Sequence, residues 1–596
     1  MQLLILSLGL ALLAPPATTA NENGNKDANS YASLLAATRA ADTDAVRQLL
    51  QRGADVHETY GDGMTSLHWA AQAGLDEVGD MLIYAGANVH ARTRIGGHTP
   101  LMLAARRGSG ELVTRLLEAG SNPGASTRTG ATALMFAAAS GDTLSVEALL
   151  EHGASVYDVE KRHGQTALMF AAEAGRTEAV RVLIEHGAET CATTATVDSA
   201  AQERELFSAY AVRAKAAREK EAAAKKAAGE SAPAAGRNEA AANELQSVDR
   251  PGAEGKKGRK KKQKSAERRG PRPKSFGQLV GRRGGMTALH YAARQGHAET
   301  VLALIEGGAD IDQTTDGDRS SPLLVATVNG NFDVAKTLLD RGADPNLASA
   351  AGVAPLYAAV NVQWAPHSFY PQPSPAKART SHLELMQALI DRGADVDARL
   401  ETKVWYTGFN FDQSGVDESG ASAFWRAAQS SDLEAMRLLV DAGADPTLGS
   451  VVVPERRLPN GRNAGKDLEK AVPKLGSPAV SALQVASGAG WVGNFHRNAP
   501  GGMMPVVRYL VEEQGFDVND ADSKGYTPMH NAAARGDDEM ILYLVFHGAR
   551  VDSVARSGET IADMANGPVQ RIQPFPETLA LLEGMGSKNN DNCVSC

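Results

Sequence analysis

Apolar positions along this chain recur in pairs of short runs. Blocks reading T-S-L-H-W-A-A-Q-A-G (65–74), T-P-L-M-L-A-A-R-R-G (99–108), T-A-L-M-F-A-A-A-S-G (132–141) and T-A-L-M-F-A-A-E-A-G (166–175) each close on a glycine. Second apolar-periodic segments lie between them and end in their own glycine turns: L-L-Q-R-G-A-D-V (49–56), L-L-E-H-G-A-S-V (149–156) and L-I-E-H-G-A-E-T (183–190). The pattern predicts pairs of short helices, each pair burying one apolar face against the next. The glycines closing the first helices, Gly74, Gly108, Gly141 and Gly175, are 34, 33 and 34 residues apart. A fixed period of this length is the mark of stacked repeats.

Each recurring residue type has a physical task. Thr65, Thr99, Thr287 and Thr527 stand where a hydroxyl caps the first helix of a unit. Pro100, Pro322 and Pro528 follow at the first helical position, where a missing N–H is harmless. Paired alanines such as Ala70-Ala71 and Ala171-Ala172 let neighbouring helices approach closely, and Gly53, Gly187, Gly342 and Gly443 end second helices in a left-handed conformation. The T-P-L-H-x-A-like blocks and the ~33-residue period resemble the ankyrin repeat. The resemblance implies that His68, His290 and His530 hydrogen-bond locally within their repeats rather than bind metal. It also implies an all-α solenoid whose concave face binds other proteins.

About twelve units are expected: five over 30–190 and seven over 284–585, the last degenerate and capping, as is the first. Between the arrays, 191–283 reads as a charged helix, strongly helix-forming but with little apolar stripe, followed by a disordered basic linker. That linker holds Lys256, Lys257, Arg259, Lys260, Lys261, Lys262, Lys264, Arg268 and Arg269. The run from Lys256 to Lys274 carries +10, so the rest of the chain, at −9 overall, stands at −19. It is either a solvated tether or a site for an anionic polymer, nucleic acid or lipid headgroups, bound by counterion release.

At the other end of the size scale, aromatic residues are only 5% of the chain, yet they gather in breaks of the second array. Trp364, Phe369 and Tyr370 lie between the two helices of one unit, and Trp405, Tyr406, Phe409 and Phe411 between units. Trp491 and Phe495 interrupt another unit. Insertions from successive units stand side by side, so these rings are expected to form one surface that grips a partner, or else plugs that hold the loops down.

The three cysteines give no disulfide framework. Cys593 and Cys596, in a flexible 586–596 tail, would form a short-loop disulfide in an oxidising compartment, or, on a redox or metal reading, a dithiol. No nucleophile elbow, zinc-protease helix or phosphate loop is present, so no catalytic residue and no cofactor is assigned. The start of the chain, with an apolar run from Leu3 to Ala14, then Pro15-Pro16, and Thr18 and Ala20 at −3 and −1, reads as a signal peptide over 1–20. No later stretch is apolar enough to span a bilayer. The expectation is an exported, periplasmic or extracellular monomer, a non-enzymatic scaffold for a protein of unknown identity.

Overall fold

The computed structural model describes residues 31–227, 274–365, 377–404, 416–454, 474–490, 497–567 and 574–590. Twelve helix pairs follow one another, numbered here as repeats 1 to 12. They fall into two compact units, Met1–Ala195 with Met286–Gln313, and Thr196–Gly285 with Thr314–Cys596.

The first unit holds repeats 1 to 6. Their inner helices are Leu34–Arg39, Ser66–Ala73, Pro100–Arg107, Ala133–Ser140, Ala167–Glu173 and Ala288–Gln295, and their outer helices Thr43–Gln51, Asp76–Tyr84, Gly110–Glu118, Thr143–Glu151, Thr177–Glu185 and Ala298–Glu306. The second unit holds repeats 7 to 12. Its pairs are Pro322–Val328 with Phe332–Asp340, Pro355–Gln363 with His382–Asp391, Ala423–Gln429 with Leu433–Asp441, Ala482–Ala486 with Met503–Arg508, Pro528–Ala533 with Asp538–Phe546, and Ile561–Asn566 with Pro576–Gly584. The outer helix of repeat 10 runs on as a π-helical turn, Tyr509–Glu513.

Local chemistry sets these boundaries. Thr65 takes the N–H of His68 on its hydroxyl, while the His68 ring Nδ1 lies 2.8 Å from that same hydroxyl. The arrangement returns at Thr287–His290 and Thr527–His530 at 2.8 and 2.9 Å. These histidines are therefore capping groups, fully buried. Gly74, Gly108, Gly141 and Gly296 stop inner helices in the left-handed conformation. Leu67, Ala70, Ala71, Val78 and Leu82 of repeat 2 show how each pair fills the core, with essentially no exposure. Packing between outer helices is tight enough that a Cβ at Gly79 would lie 2.5 Å from the Leu112 side chain.

The chain divides differently from the sequence expectation, which placed the array boundary at 191–283. Repeat 6 stacks directly on repeat 5 within the first unit. Arg294 pairs with Glu173 at 2.7 Å, the Thr177 and Thr300 hydroxyls meet at 2.9 Å, and the His297 ring contacts the Glu173 carbonyl at 3.2 Å. The insertion between them has an ordered root: Thr194 N–H donates to Met286 O at 3.0 Å, and Met286 N–H to the Thr194 hydroxyl at 2.9 Å.

Between Ala195 and Met286 the described residues form a two-stranded ribbon and a short helix beside the long charged helix. An antiparallel ribbon, β1 (Thr196–Asp198) and β2 (Arg282–Gly284), is the only sheet among the described residues. The helix Ser199–Ala227 follows β1, and the short helix Phe276–Val280 docks on it, with Glu203 accepting from the Ser275 hydroxyl at 2.6 Å and Gly277 N–H at 2.8 Å. Leu206, Phe207, Tyr210 and Val212 on the long helix are exposed.

The tail expected to be flexible from 586 is instead docked through residue 590. Ser587 is buried and accepts the Ala562 N–H, and Asn590 N–H reaches the Asp563 carboxylate at 2.7 Å. Among the described residues, no helix is long and apolar enough to cross a membrane.

Candidate functional site

Each repeat has two ends. The inner helix begins at the finger that joins it to the preceding repeat and ends at the turn before the outer helix. An eight-residue helix therefore separates finger edge from turn edge by about 12 Å. Three surfaces result: the open faces of the inner helices, the finger edge and the turn edge.

The open faces of the first unit are aromatic. Positions four residues after the capping threonine, with those three and four further on, point away from the buried Leu and Ala pair. Trp69, Phe136 and Phe170 occupy the first of these positions and are half-buried, while Leu103 and Tyr291, at the same position in repeats 3 and 6, are buried. One large side chain thus stands on each of five consecutive helices. Arg39 lies 4.8 Å over the Trp69 ring and 5.7 Å over Tyr60, and Arg294 lies 4.7 Å over Tyr291. Burial pushes the Tyr291 hydroxyl above its ordinary range. The corresponding residues of the second unit, Val325, Ala358, Arg426, Val485, Asn531 and Met564, include no aromatic.

On the turn edge of the second unit a buried polar cluster forms around Asp432, which caps the outer helix of repeat 9 through Ala435 N–H. Its Oδ2 accepts the Trp364 indole N–H at 2.6 Å and His382 Nε2–H at 2.8 Å. Burial alone would raise the carboxyl, but these hydrogen bonds hold it below its ordinary value. Buried Arg426 donates to Asn361 at 2.8 Å and to the Trp364 carbonyl at 3.0 Å. Beside Asp432, Ser431 adopts φ 59°, a left-handed position where most repeats have glycine.

Of the expected partner-binding rings, Trp364 is half-buried and tied into this cluster. Phe369, Tyr370, Trp405, Tyr406, Phe409, Phe411, Trp491 and Phe495 lie outside the described residues, as do the basic run 256–269, Cys593, Cys596 and the 1–20 leader. The roots of their segments are described, and they separate the insertions into two sets. Segments 366–376 and 491–496 leave from the turn edge, and both roots hold on to the repeat 9 turn: Trp364 binds Asp432, and Ala499 N–H donates to Ser430 O at 2.8 Å. Segment 405–415 and the polar segment 455–473 leave from the finger edge, where Val451 N–H donates to Ser419 O at 2.8 Å and Arg399 to Gly449 O at 2.7 Å. The roots of these insertions thus leave from opposite ends of the helix pair, two from the intrarepeat turn and two from the finger.

Sequence reading missed the Trp69–Phe136–Phe170 column. Its signal was one residue per repeat, immediately after the third position of each inner helix. It also missed a run of cations on the first unit's fingers. Backbone bonds between neighbouring fingers place Arg94 N–H on Asp62 O at 2.7 Å, Arg128 on Gly96 O at 3.0 Å and Lys161 on Thr129 O at 2.8 Å. Arg92, Arg94, Arg128, Lys161 and Arg162 are all exposed.

Stacked helix pairs joined by hydrogen-bonded fingers, with a half-exposed apolar column on the inner helices, define a helical repeat protein. The chain belongs to the ankyrin-repeat family: the family model for ankyrin repeats in three copies matches residues 10–93, 33–127, 101–194 and 272–349, and that for many copies matches 496–545. Among curated proteins it is similar to the mouse B-cell lymphoma 3 protein homolog, 40% identical over 75 residues, 13% of this chain and 17% of the relative. A putative ankyrin repeat-containing protein of Treponema pallidum is 34% identical over 111 residues, 19% of this chain and 31% of the relative. The human transient receptor potential cation channel subfamily A member 1 is 23% identical over 276 residues, 45% and 18% of the two chains. The chain spans less than a third of the length of each of these relatives.

Proposed function

We propose that this protein is a non-enzymatic scaffold that binds a protein partner on the inner-helix face of its first unit. The observation that carries the reading is the column Trp69, Leu103, Phe136, Phe170 and Tyr291, half-buried or buried on five successive helices. Rings held rigid by a stack offer large contact area at little entropic cost, which is why aromatic residues concentrate at interaction hot spots. The aromatic insertions of the second unit are a second contact region, supported at the turn edge by two roots that hold the ordered repeat 9 turn. The protein acts as a monomer after export to the periplasm or the outside, a placement supported by the apolar leader at 3–14.

The test is affinity capture with the chain from Asn21 onward, beside a Phe136→Ala/Phe170→Ala variant whose circular dichroism matches the parent. Loss of the captured partner in the folded variant supports the reading. Undiminished capture by that variant moves the contact away from the inner face.

A further inference from the structure

The cations of the first unit's fingers form a ladder. The three fingers 88–98, 122–131 and 155–165 enter repeats 3, 4 and 5 and share one backbone register. The residue whose N–H binds the previous finger is Arg94, Arg128 and Lys161 in turn. At that register the other fingers carry Ala195, Ala350, Glu401, Val451, Ser523 and Arg556. Among the described fingers that share this bond, three cations in succession occur in this stretch.

Two of the finger side chains are also oriented: Arg128 donates to the Arg94 carbonyl at 2.9 Å and Arg92 to the Ser126 carbonyl at 2.8 Å, so these two guanidinium groups lie along the neighbouring finger while their residues stay exposed. Two carboxylates sit on these fingers. Glu160 is buried and turned onto the backbone N–H groups of Arg162 and His163, which leaves only Asp158 half-exposed. Ile95, 77% exposed, follows Arg94 on its finger.

We propose that this ladder docks an extended acidic peptide of the partner protein, with a carboxylate at every third residue and apolar residues between. The inference rests on the scaffold reading and names the chemistry of its partner. Neighbouring repeats are spaced by a helix-packing distance of about 10 Å. A polyproline-type segment repeats its face every three residues, about 9.3 Å. Acids at that period meet Arg94, Arg128 and Lys161 in step, and the intervening residues reach Ile95. A nucleic-acid strand in a duplex places a charge about every 3.4 Å, and most of its phosphates would face no cation.

The experiment uses the full chain and fluorescence anisotropy with a labelled (Pro-Pro-Glu)6 peptide, a peptide of equal composition with its glutamates in one block, and an 18-residue oligothymidylate. Three proteins are compared: the parent, Arg94→Ala/Arg128→Ala/Lys161→Ala, and a tether variant with Lys256, Lys257, Lys260, Lys261 and Lys262 changed to Gln. The expected result is at least tenfold tighter binding of the periodic peptide than of the blocked one. That preference is lost in the ladder variant, whose melting curve is unchanged, and kept in the tether variant.

Equal binding of both peptides, tighter binding of the oligonucleotide, or loss of binding in the tether variant alone overturns the proposal. Any of these leaves the scaffold reading standing, because that reading fails only if the Phe136→Ala/Phe170→Ala protein still captures the partner.

Discussion

The two units are built from the same helix pair, yet they place their chemistry in opposite positions. The first unit keeps it at the surface, with half-buried aromatic rings on the inner helices and exposed cations along three fingers. The second unit buries a charged network around Asp432, while aspartates that close turns by accepting a backbone N–H two residues on, such as Asp55 and Asp310 in the first unit and Asp395 and Asp445 in the second, are common to both. Regular repeats leave their faces free for contact. Where long insertions break the repeat, side chains are recruited inward to hold the roots in place.

That contrast is broken most strongly at Asp432. Asp432→Ala leaves His382, Trp364 and a helix N-terminus without their acceptor, and removing one partner of a buried charged cluster costs about 3–5 kcal/mol. Hydrogen exchange is expected to rise in repeats 8 and 9 while 66–185 stays protected. Rising exchange in both regions would show that the units unfold together.

Acid sharpens the same comparison. Burial holds His530 at a pKa of about 4, against 6.5 when unfolded. The unfolded chain therefore takes up the proton first: stability is full above pH 6.5 and falls toward pH 4, by about 3 kcal/mol from this residue. His68 in the first unit shifts in the same direction. Asp432, held below its ordinary value, keeps contributing until the pH drops below 3.8 and is lost as its own lower pKa is passed. Urea unfolding at pH 7 and pH 4.5 reads this directly, and His530→Gln should flatten the dependence.

Smaller effects are expected on the open face. Trp69→Ala, Phe136→Ala or Phe170→Ala each removes a half-buried ring, for about 1–2 kcal/mol. Melting should move by a few degrees while partner binding changes far more. The smallest effect has the opposite sign. Ser431→Gly releases a left-handed non-glycine residue and should stabilise the second unit by about 1 kcal/mol, seen as a higher urea midpoint.

The repeat frame was legible because threonine caps, alanine pairs and closing glycines act locally and recur in step. The Asp432 cluster was not. In sequence Asp432 resembles the ordinary caps Asp142 and Asp537, and its partners lie 50 and 68 residues away. The finger cations were hidden for a different reason: the dense run at 256–274 dominated any reading of charge, whereas Arg94, Arg128 and Lys161 align only once the fingers pair. The aromatic insertions drew attention by composition, but composition does not tell which end of a helix pair a loop leaves from.

The closed root between Thr194 and Met286 has one more consequence. Its hydrogen bonds fix the two chain ends before the insertion begins, so the stack of repeats 5 and 6 is indifferent to what the chain does in between. Closing a loop costs free energy only as the logarithm of its length. The position is thus a natural docking port for foreign sequence: a reporter domain, a protease site or a longer tether grafted there would ride on the array without being part of it.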